Sequence, residues 1–335
     1  MGTYEGLQGI WVLCGVRDGQ IDRVSRELLG EAERLGAVEG MKTTAVVLGR
    51  EIPQIRGADH ALVVQDDSLS VPEELRWTHE LYHLVRRYRP QVLLLGANGF
   101  GRSLAPRLAA RLGTGLTADC TALDMRDGLL VQTRPAFGGN LMADILCPDA
   151  RPQMATVRPR VFRAPDWEAA RPCEILREPP AGPDTLSRLV EITGFTPSGQ
   201  DAAIGEADIL VAVGQGIGSK ENIAMAEKLA ELMGGALAAS RPLVDGGLVP
   251  YAHQVGQTGR TVAPRLYIAC GISGAIQHLA GVAAEKVVAV NIDPDAPIME
   301  RANWAILGDC GAFLREMVDL YTTSPPSVLP DRHSK

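Results

Sequence analysis

Short apolar runs recur along the chain, separated by segments whose apolar residues repeat at helical spacing. IWVLCGV (10–16), TTAVVLG (43–49), ALVVQD (61–66) and QVLLLGA (91–97) predict strands. Amphipathic stretches over 21–35, 72–88 and 104–112 predict the helices between and after them. Beyond residue 200 the alternation resumes, with strands at DILVAVG (208–214), ALAAS (236–240), LYIACG (266–271), VVAVNID (287–293) and WAILGD (304–309). Helices are predicted there over 220–233, 275–280 and 312–321. Apolar strands with little alternation, joined by helices, are buried on both faces in parallel sheets. The pattern therefore predicts an α/β protein of two α/β domains with parallel sheets.

Between these stretches, eight prolines fall within residues 148–183, interleaved with Arg151, Arg158, Arg160, Arg163, Arg171 and Arg177. Proline at this density breaks helices and confines strands to short or edge pieces. This segment is read as an ordered but irregular junction, in which MATVRPRVF (154–162) would form an edge strand of the first domain. The domains are accordingly placed at 1–200 and 201–325, with a polar tail at 326–335. A length of 335 residues, about twice that of a usual domain, agrees with two.

Composition narrows the function. A net charge of −7 excludes a general nucleic-acid binder, which needs a basic field. The six cysteines (14, 120, 147, 173, 270, 310) form no CxxC, so no local zinc or iron–sulfur site is signalled, and they read as reduced thiols. The chain enters a strand almost at once and shows no secretory leader, which points to the cytoplasm. Leu266–Ala284 carries no formal charge over 19 residues, but its Gly, Ser, Gln and His suit a buried strand–turn–helix rather than membrane insertion.

His79-Glu80-Leu81-Tyr82-His83 matches the HExxH pattern of zinc hydrolases. Trp77, Leu81, Leu84, Val85 and Tyr88 make the apolar stripe of that helix, and the two histidines lie opposite it beside Arg76, Arg86 and Arg87. The pair is read as a solvated face, and no metal is expected. The glycine-rich turn at 96–103 fits either an anion at a helix N-terminus or close helix–strand packing. A second turn, Gly214–Lys220, misses the dinucleotide fingerprint because Ser219 stands three residues after Gly216. The next strand ends in Ser240-Arg241 rather than an acid, against a standard nicotinamide site. Gln254–Arg260 offers carboxamides, a hydroxyl and backbone amides, and Cys270–His278 sets a Gly/Ser turn before a short helix, which suits a pyrophosphate.

These segments resemble the alpha subunit of electron-transfer flavoprotein. The resemblance rests on GSKEN (218–222), ASR (239–241), VD (244–245), QVGQTG (254–259), YIACGISGAIQH (267–278) and NIDPDAPI (291–298). RDGQIDRVSRELLGEA (17–32) is similar to the family's opening, so the likeness spans the chain. It implies a Rossmann-like C-terminal domain that holds FAD, and a beta subunit that carries AMP or a second FAD. Partners would be a donor dehydrogenase and an acceptor oxidoreductase. By resemblance, Ser240 and Gln254, Val255, Gly256, Gln257 and Thr258 would contact the cofactor. Arg241 would approach its ring, Thr258 its N5 region and His278 its C2 carbonyl. Ser273, Gly274, Ala275, Ile276 and Gln277 would cradle the pyrophosphate, and Asn291 and Asp309 would bind the adenosine end. Gln215 stands where the family commonly has arginine, so a neutral amide would replace a charge. A cation and an imidazole donor beside the ring would stabilise negative charge on the reduced flavin and favour single-electron steps. The alternative is a nucleotide-binding regulatory or structural protein with an FAD-like site and no redox role.

Overall fold

A computed structural model describes residues 7–17, 19–136, 141–182, 193–194, 204–205 and 207–323. The chain divides into two units, Met1–Thr193 and Gly194–Lys335. The tail expected over 326–335 lies outside the described residues.

The first unit begins with β1 (Ile10–Cys14), the small hairpin β2 (Val16–Arg17) and β3 (Gln20–Ile21), and helix α1 (Arg23–Glu39). Then come β4 (Thr43–Gly49), β5 (His60–Gln65), α2 (Glu74–Tyr88), β6 (Val92–Gly96) and α3 (Gly99–Leu112). It continues with β7 (Leu116–Cys120), β8 (Ala122–Arg126), β9 (Leu129–Ala136), β10 (Leu141–Ile145), β11 (Gln153–Val157) and β12 (Glu174–Glu178). Seven strands form a parallel sheet in the order β12-β5-β4-β1-β6-β11-β7. Both faces are covered. Ile10, Val12 and Cys14 pack with α1, while Trp11 and Leu13 pack with α2 and α3. Each helix starts on a side-chain cap: Asp22 accepts from the Ser25 amide, Glu73 from those of Leu75 and Arg76, and Asn98 from that of Gly101. The turn at 96–103 packs tightly, because a side chain on Gly101 would meet the Gly96 carbonyl and one on Gly96 would meet Val24.

Two expectations for this unit need correction. The proline-rich stretch supplies β11, an interior strand between β6 and β7 that is buried along its whole length. Prolines 152 and 159 bracket β11, and prolines 172 and 179 bracket β12, so neither strand has a proline inside it. The face of α2 bearing the HExxH pattern is not solvated: His79 and Glu80 are buried. The chain returns over them after β12, and the His79 Nε2 lies 2.8 Å from the Gly182 carbonyl. Glu80 accepts from the Ala181 amide at 2.9 Å and pairs with Arg76 at 3.4 Å. Of the pattern, only His83 is exposed. Among the described residues no group of three His, Cys, Asp or Glu side chains could hold a metal.

The second unit runs β13 (Ile209–Val213), α4 (Lys220–Leu232), β14 (Ala236–Ala239), α5 (Arg241–Asp245) and β15 (Leu266–Cys270). It ends with α6 (Ile276–Leu279), β16 (Lys286–Asn291), α7 (Pro297–Arg301), β17 (Trp304–Leu307) and α8 (Cys310–Thr323). Its sheet is parallel throughout, in the order β14-β13-β15-β16-β17. Helices α4 and α8 cover one face through Ile223, Ala226, Leu229, Leu314 and Val318. The opposite face is covered by loop residues, among them Val255, Val262 and Ile272, and by Ile298 of the short helix α7. No helix among the described residues is long and apolar enough to cross a membrane. All six cysteines are free thiols.

Candidate functional site

The chain leaves β13 toward β14 and later crosses to the other side of β13 to form β15. At such a switch point the loops leaving two adjacent strands part in opposite directions, opening a crevice at the carboxyl ends. Here the turns after β13 and β15 meet backbone to backbone. The Gly214 amide donates to the Cys270 carbonyl at 2.9 Å, and the Gly216 amide to the Gly271 carbonyl at 3.0 Å. Gly271 adopts φ +65°, and a side chain there would run into the Gly216 backbone. Only glycine fits this contact. Gln215 projects from the short turn Gln215–Ile217 and is exposed.

Around this crevice the structure gathers most of the expected residues. Ser240 follows β14 and stands at the N-cap of α5, with no side-chain cap bond of its own. Arg241 opens α5, is well exposed, and reaches Asp245 at 3.0 Å in a solvent-screened pair. The loop 254–260 is pinned to β14, since the Val255 amide donates to the Ala239 carbonyl at 2.9 Å. Gln254 is buried and donates from Nε2 to Thr258 Oγ1 at 3.2 Å, while Tyr251 donates to the Thr258 carbonyl at 2.8 Å. Gln257 and Thr258 are exposed at the loop's tip. The same loop touches α6: the Gln257 amide donates to the Gln277 carbonyl at 2.7 Å, and a side chain on Gly281 would run into the Gly256 backbone.

After β15, the amides of Ser273, Gly274, Ala275, Ile276 and Gln277 donate to no acceptor among the described residues. The Ser273 carbonyl is held by the Ile298 amide at 3.1 Å, so the run is fixed while its donors stay open. Successive unpaired amides form an anion-binding concavity. His278 follows directly and is buried. Its Nε2 lies 2.8 Å from the Tyr267 hydroxyl, and its Nδ1 is buried without a well-formed hydrogen bond. Burial lowers the imidazole pKa below its ordinary value, outweighing a contact with the Val255 backbone that raises it. The ring is therefore neutral at physiological pH.

Two expected residues serve the frame as well. Asn291, at the end of β16, donates from Nδ2 to the Ile272 carbonyl at 3.0 Å and accepts from the Asp293 amide at 3.1 Å. Asp309 accepts from the Ala312 amide at 2.8 Å at the start of α8. An apolar cleft of about 590 Å³ lies elsewhere, between β17 and α8, and none of the expected site residues line it. Tyr267 was not singled out by sequence, where it reads as one apolar strand residue. The available signal was that a hydroxyl in a strand buried on both faces needs a partner.

This geometry suits FAD: fixed amides for a pyrophosphate, a buried imidazole nitrogen with hydrogen-bonding capacity to spare, and exposed Arg241 and Thr258 at neighbouring loops. Comparison with known proteins agrees. Residues 10–182 match the family model of the electron transfer flavoprotein domain, and 203–283 match that of the electron transfer flavoprotein FAD-binding domain. The chain is 44% identical over 321 residues to Protein FixB of Clostridium saccharobutylicum, covering 93% of this chain and 95% of that one. It is 44% identical over 308 residues to the electron transfer flavoprotein subunit alpha of Thermoanaerobacterium thermosaccharolyticum, covering 90% and 93%. It is 40% identical to the acryloyl-CoA reductase electron transfer subunit beta of Anaerotignum propionicum, covering 93% and 95%.

Proposed function

Because the chain belongs to the electron transfer flavoprotein alpha-subunit family and contains its FAD-binding domain, we propose that it carries electrons from a donor dehydrogenase to an acceptor oxidoreductase. It acts with a beta subunit, as the family implies. The donor is read as a flavin dehydrogenase, or NADH if the partner subunit holds a second FAD rather than AMP. The observation that carries the residue assignment is the run of five unpaired amides beside buried His278.

Bound FAD supplies one- and two-electron redox chemistry through its isoalloxazine ring. The residues of this chain would hold and tune it. The amides of Ser273–Gln277 would take the pyrophosphate charge. Gln254, by bonding Thr258 Oγ1, sets the direction of that hydroxyl at the loop tip. Arg241 would place a permanent positive charge at the ring, loosely held by Asp245 and so able to turn toward a ligand. His278 would offer a neutral hydrogen-bond donor. Both groups favour a flavin that gains negative charge on reduction. Gln215 would offer an amide, without a charge, from the turn after β13. Ser240 lies beside Arg241, and Asn291 and Asp309 would face the adenosine end with the hydrogen-bonding capacity their turns leave over. Six free thiols support a reducing compartment, the cytoplasm.

The test is to purify the heterodimer, count FAD, reduce it anaerobically and follow oxidation by an added dye acceptor. A yellow complex whose flavin cycles is the expected result. A complex that stays colourless after incubation with FAD, or a flavin that never passes an electron on, would overturn the reading.

A further inference from the structure

Tyr267 lies in β15 with its side chain wholly buried on the sheet face opposite α4 and α8, in one cluster with Val255 and Ile272. Burial drives its phenol pKa up, so the hydroxyl keeps its proton. Its hydrogen-bond partner among the described residues is Nε2 of His278, at 2.8 Å. A protonated hydroxyl with one neighbouring acceptor directs its hydrogen there, because a buried unpaired donor is costly. Nε2 must then be the unprotonated nitrogen. In a neutral imidazole the other nitrogen carries the hydrogen. That nitrogen, Nδ1, is buried and makes no well-formed bond within the chain, and the ring contacts the Val255 backbone.

We propose that Tyr267 is a positioning residue: its hydroxyl donates to Nε2 of His278, fixes the Nδ1–H tautomer, and presents that N–H on the side of the 254–258 loop. Neither residue alone would achieve this. A histidine without the tyrosine would exchange between tautomers and leave Nε2 unpaired in the core. The arrangement is that of a ligand histidine whose far nitrogen is set by a buried partner. The target of the N–H, a flavin carbonyl, rests on the FAD reading above; the tautomer itself does not.

The heterodimer labelled with ¹⁵N-histidine tests it, since protonated and unprotonated ring nitrogens have well-separated ¹⁵N shifts. His278→Gln identifies the His278 signals by their loss. The wild type should show His278 as Nδ1–H at alkaline pH, before and after FAD is bound. Tyr267→Phe should shift the ring toward Nε2–H while FAD stays bound, and should move the flavin midpoint potential in the same direction as His278→Gln, by less. A wild-type His278 found as Nε2–H overturns the proposal even if Tyr267→Phe fails to fold. So does a folded Tyr267→Phe protein with unchanged ring shifts and unchanged potential. A wild type that shows Nδ1–H yet binds no FAD supports the tautomer and defeats the flavin reading alone.

Discussion

The Gly216 amide donates to the Gly271 carbonyl across 3.0 Å, tying the turn after β13 to the turn after β15 at the point where the strand order reverses. A side chain on either glycine would push the two turns apart, and Gly271 also sits at φ +65°. Gly271→Ala should therefore destabilise the second unit by about 2 kcal/mol or more, from left-handed strain plus displacement of Gly216. Denaturant unfolding measures the first effect. FAD retained after gel filtration measures the second, and should fall with it.

Stability should depend on pH through His278. Its folded pKa lies below the ordinary 6.5 because burial disfavours the imidazolium. As pH falls, the unfolded chain takes up this proton first, so the contribution is full above about pH 6.5 and is lost below it, toward the folded pKa. The FAD-free heterodimer should lose more thermal stability between about pH 7.5 and pH 5.5 than its His278→Gln variant. Parallel pH profiles of the two proteins would contradict this.

The HExxH helix should behave as core. Glu80 accepts from the Ala181 amide and pairs with Arg76, so Glu80→Ala removes both contacts from a buried position and leaves Arg76 only its bonds to the Ala181 carbonyl and Ser68 Oγ. A loss of about 2 kcal/mol in the first unit is expected, read by chemical unfolding. Metal analysis of the wild type should find well under one zinc per chain. Stoichiometric zinc removed by His79→Ala would reverse the assignment.

How much was legible in sequence follows from where each signal resides. Strands buried on both faces, such as β1, β6 and β13, announce themselves as apolar runs, and so do the helices that cover them. The antiparallel sheet β10-β9-β8 does not, because segments such as ALDMR and LMADI are half exposed and mix charged with apolar positions. The burial of His79 and Glu80 depends on residues 181–182, a hundred positions away, which no local periodicity encodes. The glycine and carboxamide motifs of the second unit were legible because unusual backbone geometry restricts residue choice locally. Tyr267 was not, since its role depends on one contact to a residue in another element.

The most direct test of the central claim, that this unit uses Arg241 to tune an electron-carrying flavin, is a spectroelectrochemical titration of FAD in wild-type and Arg241→Ala heterodimers. Arg241 is exposed and its pair with Asp245 is screened, so the substitution should change stability by no more than about 0.5 kcal/mol. The predicted result is bound FAD with a lower midpoint potential, since a positive charge beside the reduced ring has been removed. Bound FAD with the wild-type potential would contradict it.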